Sequence, residues 1–226
     1  MQANISVANA YVADITQPED RARRFGLLGA MMGLGFILGP ALGGILGHID
    51  LRLPFIASGF LAVLNWIYGY FVLPESLPVA RRTPFNWRKA NPVSALRGLI
   101  DLQGVGPLVA VIALTTLAQF MLHATWVLFT NFKFGWGPQQ VGWSLMMVGV
   151  VNVLMQGVLL KHVLKLMSAQ RLAVIGLCTG VFAYLGYGLV PEPWMLFVVI
   201  VLNMPAAATG SLMQSMVSGA AQANVQ

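Results

Sequence analysis

The sequence predicts an all-α, polytopic membrane protein, in which a bundle of helices crosses the bilayer several times. Two features of its composition lead to this fold class. Hydrophobic residues make up 58% of the 226 residues, and the mean hydropathy is +0.75. Charged residues make up only 9%, whereas a soluble domain carries about a quarter. This composition excludes a water-soluble globule, a disordered chain and a fibrous repeat, and the single cysteine excludes a disulfide framework.

Six stretches of the chain are long and apolar enough to cross a bilayer, which requires about 20 residues of helix. None of them contains Asp, Glu, Lys or Arg. They lack the alternation of apolar and polar residues that is typical of strands, and only a helix satisfies its own backbone groups in lipid. The predicted spans are 26–47, 53–73, 105–130, 141–160, 172–190 and 194–216.

The first 13 residues are apolar but too short to cross a membrane, and the chain ends shortly after its last span. We therefore expect six full spans plus part of one. We also expect the chain to be the truncated, central portion of a longer transporter-like sequence.

The basic residues predict the orientation, because Lys and Arg concentrate in the cytoplasmic loops of membrane proteins. Alternation of six spans places three basic segments on one side, with eleven of the 13 basic residues, and leaves Arg52 and Lys133 on the other. The long connection at residues 74–104 lies on the basic side, so we expect it to be a cytoplasmic loop. The eleven are Arg21, Arg23, Arg24, Arg81, Arg82, Arg88, Lys89, Arg97, Lys161, Lys165 and Arg171.

The first span contains the most distinctive pattern, in which a glycine recurs at every fourth position from 35 to 47. Such a stripe lets a neighbouring helix approach closely, and a proline within it removes a backbone hydrogen bond and bends the helix. We expect this span to be a packing helix. The residues that form the pattern are Gly35, Gly39, Pro40, Gly43 and Gly44.

The Gly-x-x-x-Gly-Pro-x-x-Gly-Gly pattern resembles the antiporter motif in the fifth helix of major facilitator superfamily drug exporters. Residues 13–16 (ADIT), followed by Arg21, Arg24 and Phe25-Gly26, resemble the family's loop between its fourth and fifth helices. Residues 73–78 (LPESLP) resemble the end of its sixth helix, and Asn91-Pro92 the approach to its seventh. Together these segments most resemble the tetracycline-resistance branch of drug/proton antiporters.

The resemblance implies a major facilitator-type helical bundle that corresponds to the family's fourth to tenth helices. Residues 1–73 would then form the end of the N-terminal helical bundle, 74–104 the cytoplasmic central loop and 105–226 most of the C-terminal bundle. The implied location is a bacterial inner (plasma) membrane.

The resemblance also implies proton-coupled export of a drug or other small amphipathic compound. The expected partners are that compound, protons and the lipid bilayer, with no cofactor, metal or nucleic acid; the sequence does not indicate an oligomeric state. The spans contain no set of catalytic groups, so we expect no enzyme activity. Two alternatives remain open: a proton symporter for nutrient uptake, and a truncated fragment that transports nothing.

Polar side chains recur on common faces of the third, fourth and sixth spans. The resemblance implies that these spans contribute to a central substrate cavity. The alternative is hydrogen bonding between packed helices, which is worth about 0.6 kcal/mol per contact in membrane proteins. The candidate cavity residues are Gln119, His123, Trp126, Asn152, Gln156, Asn203 and Gln214.

Two further hypotheses concern charge. His123 is the only histidine well inside a span, and histidine readily gains or loses a proton near neutral pH; it either couples transport to protons or is a neutral hydrogen-bonded residue. Asp14, with Arg21 or Arg24, lies at the predicted cytoplasmic edge. A charge pair there either forms a cytoplasmic gate that breaks in one transport state or consists of ordinary interfacial charges.

Overall fold

The computed structural model describes residues 2–17, 20–73 and 105–223, and these contain helices and no strands. A π-helical segment, Leu154–Leu159, joins α5 to α6, and a 3-10 segment, Met204–Ala208, joins α8 to α9. The helices are α1 (Gln2–Ile15), α2 (Arg21–Ile49), α3 (Leu53–Val72), α4 (Val105–Phe134), α5 (Pro138–Val153), α6 (Leu160–Leu166), α7 (Ala169–Leu189), α8 (Pro193–Leu202) and α9 (Thr209–Ala223).

All six predicted spans are helical, which confirms the predicted fold class. Four of them correspond to α2, α3, α4 and α7, and a fifth runs continuously from α5 through the π segment to α6. The sixth is broken, because α8 and the segment that follows it meet at an angle of 51°. The predicted loop at 74–104 lies outside the described residues, so the division into two bundles stays a prediction.

The turn between α4 and α5 is fixed by local chemistry. Gly135 adopts a positive φ of 65°, a conformation that costs glycine little. The side-chain Nδ2 of Asn131, in the last turn of α4, donates a hydrogen bond to the Trp136 carbonyl at 3.0 Å. Pro138 then begins α5, where its missing N–H carries no penalty. These features fix the turn that connects the two helices.

The buried core lies among α4, α5, α7 and α8, around Trp126, Trp136, Tyr187 and Leu196. A second buried cluster joins the π segment, α7 and the 3-10 segment around Met155, Leu172 and Ala208. By contrast, α3 buries none of its residues. An apolar helix with no buried face in the described part of the chain is suited to contact with lipid.

Candidate functional site

A cavity of about 560 Å³ lies between α4, α5, α7 and the broken span formed by α8 and α9. Binding sites for small molecules commonly measure about 300–1,000 Å³. Apolar residues form most of its wall, and polar groups interrupt them at intervals. Among the residues described, no lining side chain is a carboxylate, an ammonium or a guanidinium group.

The structure brings six of the seven residues proposed for a substrate cavity to this one site. They come from three spans that are separated in the sequence, and their side chains converge between the helices. Whether they bind substrate stays a prediction. The six are Gln119, His123, Trp126, Asn152, Gln156 and Asn203.

The seventh residue, Gln214, is exposed and does not line the cavity. On a continuous α-helix, Gln214 would share a face with Asn203, because eleven residues make about three turns. The 3-10 segment between them turns about 20° further per residue than an α-helix does. It therefore rotates α9 by roughly 100°, so that Met213 lines the cavity where Gln214 would otherwise lie.

Trp126 forms a fixed part of the cavity wall. Its side chain is only 5% exposed, and its indole Nε1–H donates a hydrogen bond to the Ser144 hydroxyl oxygen at 3.0 Å. The Ser144 hydroxyl in turn donates to the Val141 carbonyl at 2.7 Å. The ring of Tyr187 meets the Trp126 ring edge to face, with 5.2 Å between ring centroids. These contacts hold the indole in one orientation.

The hydrogen bond of His123 determines which of its ring nitrogens faces other partners. Its Nδ1 lies 2.8 Å from the Gln119 carbonyl oxygen. Because a carbonyl oxygen only accepts hydrogen bonds, this contact assigns the proton to Nδ1. In the neutral ring, Nε2 is then an acceptor, and it is the nitrogen that a second proton would occupy. The role of His123 in proton coupling stays a prediction.

Several polar side chains of the cavity form hydrogen bonds within their own helices. The Thr115 hydroxyl donates to the Val111 carbonyl at 2.7 Å, and the Asn152 amide donates to the Val148 carbonyl at 2.9 Å. Two buried atoms differ: Asn203 Oδ1 and Thr209 Oγ1 have no hydrogen-bond partner among the described residues. Both atoms lie at the break in the sixth span and are shielded from solvent, and the Asn203 side chain also interacts with the Tyr187 hydroxyl.

The contribution of α7 to the cavity was not predicted from the sequence. Tyr184 and Tyr187 line the cavity, together with Gly176 and Gly180. The available signals were the two glycines, which lie four residues apart, and the two tyrosines within an otherwise apolar span. Thr209 was also missed, because the sixth span was treated as one continuous helix. Pro205 was the signal for a break, since a proline in a helix interior removes a hydrogen bond.

The most extensive contact between two helices in the described residues joins α2 to α5. The helices run antiparallel, and glycines of both helices allow the close approach. A Cβ placed on Gly44 would lie 2.9 Å from Gly142 Cα, and one placed on Gly149 would lie 2.8 Å from the Phe36 carbonyl oxygen. A Cβ on Gly33 would lie 2.8 Å from Val153 Cγ2.

This contact differs from the expected glycine stripe. Pro40 and Gly44 lie in it, but a Cβ on Gly35, Gly39 or Gly43 would meet no atom within 4 Å in the described part of the chain. The reason is helical geometry: a strict repeat of four residues drifts by about 40° per step, or about 120° between residues 35 and 47. The residues that face α5 (33, 37, 40, 44 and 47) alternate steps of four and three, which keeps them on one face.

The proposed cytoplasmic gate is described only in part. Asp14 lies exposed near the end of α1. Arg24, exposed in the first turns of α2, lines a second cavity of about 550 Å³ between these two helices, together with Asp20. The side chain of Arg21 lies outside the described residues. The gate therefore stays a prediction.

Comparisons with known proteins relate the sequence to one family and to several of its relatives. The family described as Major Facilitator Superfamily matches residues 1–226. The chain is similar to the class C tetracycline resistance protein of Escherichia coli, with 34% identity over 213 residues that cover 94% of this chain and 54% of that protein.

Two further relatives share less identity. The class D tetracycline resistance protein of Salmonella ordonez is 28% identical over 96% of this chain and 55% of its own length. The hippocampus abundant transcript 1 protein of Mus musculus is 25% identical over 98% of this chain and 46% of its own length. The chain thus spans about half the length of the curated relatives it matches.

Proposed function

Because this chain belongs to the Major Facilitator Superfamily, we propose that it is part of a secondary transporter that exports a small amphipathic compound in exchange for protons. A compound of the tetracycline type, exported across a bacterial inner membrane, is the proposed substrate. The observation that carries the proposal is the cavity of about 560 Å³ between α4, α5, α7 and the broken span.

The lining of the cavity suits a flat, partly apolar compound. Trp126 and Tyr187 provide rigid aromatic surface at one level, and aromatic rings supply large contact areas at little cost in conformational entropy. The amides of Gln119, Asn152 and Gln156 provide polar groups elsewhere on the wall. A wall that is mostly apolar with a few polar groups is typical of sites for drug-sized ligands.

The names of the relatives support tetracycline as the compound to test first, since classes C and D are tetracycline resistance proteins. The contact between α2 and α5 supports a transporter mechanism. These helices belong to the two halves expected from the sequence, and a glycine-lined contact between them is smooth enough for one half to rotate against the other.

The proposal is tested by measuring tetracycline accumulation in bacteria that express the protein from its complete gene. Export predicts less accumulation than in cells with an empty vector, and an uncoupler that collapses the proton gradient should abolish the difference. Greater accumulation would favour uptake. Equal accumulation of tetracycline in the two strains, with the protein present in the membrane, would contradict the proposal and favour a fragment that does not transport.

A matched pair of tryptophan variants tests whether this cavity is responsible. We expect Trp126→Phe to weaken export, because the indole N–H that holds the wall in place is lost. Trp66→Phe is the control, since Trp66 lies on α3 and is 69% exposed. Equal export by the two variants would contradict a role for the cavity.

A further inference from the structure

Tyr184 offers the cavity more accessible ring surface than its other aromatic residues do. Three aromatic side chains line the cavity in the described part of the chain, those of Trp126, Tyr184 and Tyr187. Trp126 is 5% exposed and Tyr187 is 6% exposed, so other protein atoms cover most of each ring. Tyr184 is less buried than either of them. A molecule in the cavity therefore has the ring of Tyr184 as its most accessible aromatic contact.

The protein holds the Tyr184 ring in position. The ring centroid lies 6.5 Å from that of Tyr187, with 33° between the ring planes. Tyr184 also packs against the buried cluster that contains Trp126 and Tyr187. A tyrosine has few side-chain torsions to fix and supplies a large contact area at little cost in conformational entropy. The ring is thus a preorganised contact surface.

Gly180, one turn earlier on α7, leaves space next to this ring. Residues four positions apart lie on the same face of an α-helix, and each side chain leans toward the N-terminal end of the helix. The Tyr184 ring therefore projects toward Gly180, which also lines the cavity. A Cβ on Gly180 would lie 3.9 Å from the Ala206 Cβ, and no atom of the Tyr184 ring or of another helix in the described part of the chain would come closer. The space beside the ring is open to the cavity.

Packing between helices does not require a glycine at position 180, in contrast to position 176. A Cβ on Gly176 would collide with Thr209 Oγ1 and would lie 2.8 Å from the Pro205 carbonyl oxygen, so a side chain there would push α7 away from the 3-10 segment. A Cβ on Gly180 would make only an ordinary van der Waals contact. The missing side chain at Gly180 thus enlarges the cavity and does not serve the contact between the helices.

We propose that Tyr184 and the open surface at Gly180 form a stacking site, in which a flat, conjugated ring of the bound molecule lies against the Tyr184 ring. The stacking site rests on the proposed function and specifies part of the ligand. Aromatic rings attract each other in offset-stacked and edge-to-face arrangements, and the absence of a side chain at Gly180 gives the ligand ring room to adopt one. A compound of fused flat rings gains this contact, whereas a branched aliphatic compound does not.

The stacking site is tested by equilibrium binding of tetracycline to the purified protein in detergent. We expect Tyr184→Leu to raise the Kd about fivefold, the loss expected for one aromatic pair. Tyr184→Phe keeps the ring and should change the Kd less than about twofold. Tyr68→Leu is the matched control, because Tyr68 lies on α3 and is 60% exposed; it should leave the Kd unchanged. Equal losses in Tyr184→Phe and Tyr184→Leu would assign binding to the hydroxyl and overturn the stacking site.

A graded pair of substitutions tests the open surface at Gly180. Gly180→Ala adds a methyl group in ordinary contact with Ala206, and we expect the Kd to change less than about twofold. Gly180→Leu places a side chain where the ligand ring would lie, so the Kd should rise about tenfold or more. The Tm without ligand should stay the same or rise, because leucine favours a helix more than glycine does. Gly188→Leu is the control, since Gly188 is exposed on α7 and does not line the cavity.

The outcomes separate the stacking site from the proposed function. If the wild type binds and exports tetracycline but Tyr184→Leu and Gly180→Leu bind it equally well, the stacking site is wrong and the export proposal stands. If the wild type binds tetracycline without exporting it, the export proposal fails, and the same variants still decide the stacking site. A wild-type protein that does not bind tetracycline would overturn both.

Discussion

Replacing Gly142 by alanine is expected to separate α2 from α5. The new Cβ would lie 2.6 Å from the Pro40 carbonyl oxygen and 2.8 Å from Gly44 Cα, whereas ordinary van der Waals contact begins at 3.4 Å. Both neighbouring atoms belong to the backbone and cannot rotate aside, so the helices must move apart by about 0.8 Å at this point. Inserting extra carbon into a well-packed site costs about 1–3 kcal/mol.

Gly39→Ala is the matched control, because it makes the same chemical change on α2 but outside the contact with α5. A Cβ on Gly39 would meet no atom within 4 Å in the described part of the chain. The variant therefore adds only the helix preference of alanine over glycine, about 0.5–1 kcal/mol in favour of the folded state. The two substitutions should change the stability in opposite directions.

The assay is the Tm of each purified variant in detergent, followed by intrinsic fluorescence. We expect Gly142→Ala to lower the Tm by several degrees and Gly39→Ala to leave it unchanged or raise it. An unchanged Tm for Gly142→Ala, or equal shifts for the two variants, would refute the backbone contact between α2 and α5.

Three other substitutions give distinct results. Ser144→Ala leaves the buried indole N–H of Trp126 without its acceptor, and we expect a loss of about 1–3 kcal/mol in the free energy of unfolding, measured by thermal denaturation. If His123 carries the coupled proton, His123→Gln should abolish efflux driven by an imposed pH gradient. His162→Gln is the control, because the His162 ring makes the same contact with its own helix, and it should not abolish efflux. Unchanged efflux by His123→Gln would exclude His123 from coupling. Lys133 donates a hydrogen bond to a carbonyl at the end of α7 at 3.0 Å, so Lys133→Met should lower the Tm slightly, and about 1 M salt should remove that difference by screening the charge.

The number and approximate position of the spans were predictable, because long apolar stretches have few alternatives in a membrane. The cavity residues on α4 and α5 were predictable for a related reason: a polar residue within an apolar span faces the bundle interior or a water-filled cavity rather than lipid. Gln119 and Asn152 are examples. A regular α-helix preserves the face that the sequence pattern indicates, so the pattern was sufficient there.

The sixth span shows where the sequence pattern fails. The 3-10 segment and the 51° bend do not alter the apolar composition from which the span was predicted. Together they rotate Gln214 away from the cavity and bring Thr209 into it. The glycine pattern of α2 has a similar limit, because the position of α5 determines which face of α2 is packed. Gly44 contacts α5, and Gly39 does not, although both belong to the same motif. Which face of a helix contacts its neighbour depends on the packing between the two helices. The sequence of one helix alone does not specify that packing.

We propose that the cavity between α4, α5, α7 and the broken span binds the transported compound. Two glutamines test it directly, because Gln119 lines the cavity and Gln214 does not, although both are exposed. Each is replaced by cysteine in a Cys178→Ala background and labelled with a maleimide, with and without saturating tetracycline. We expect tetracycline to slow the labelling of Gln119→Cys and to leave that of Gln214→Cys unchanged. Labelling of Gln119→Cys at the same rate with and without tetracycline would contradict binding of the compound in this cavity.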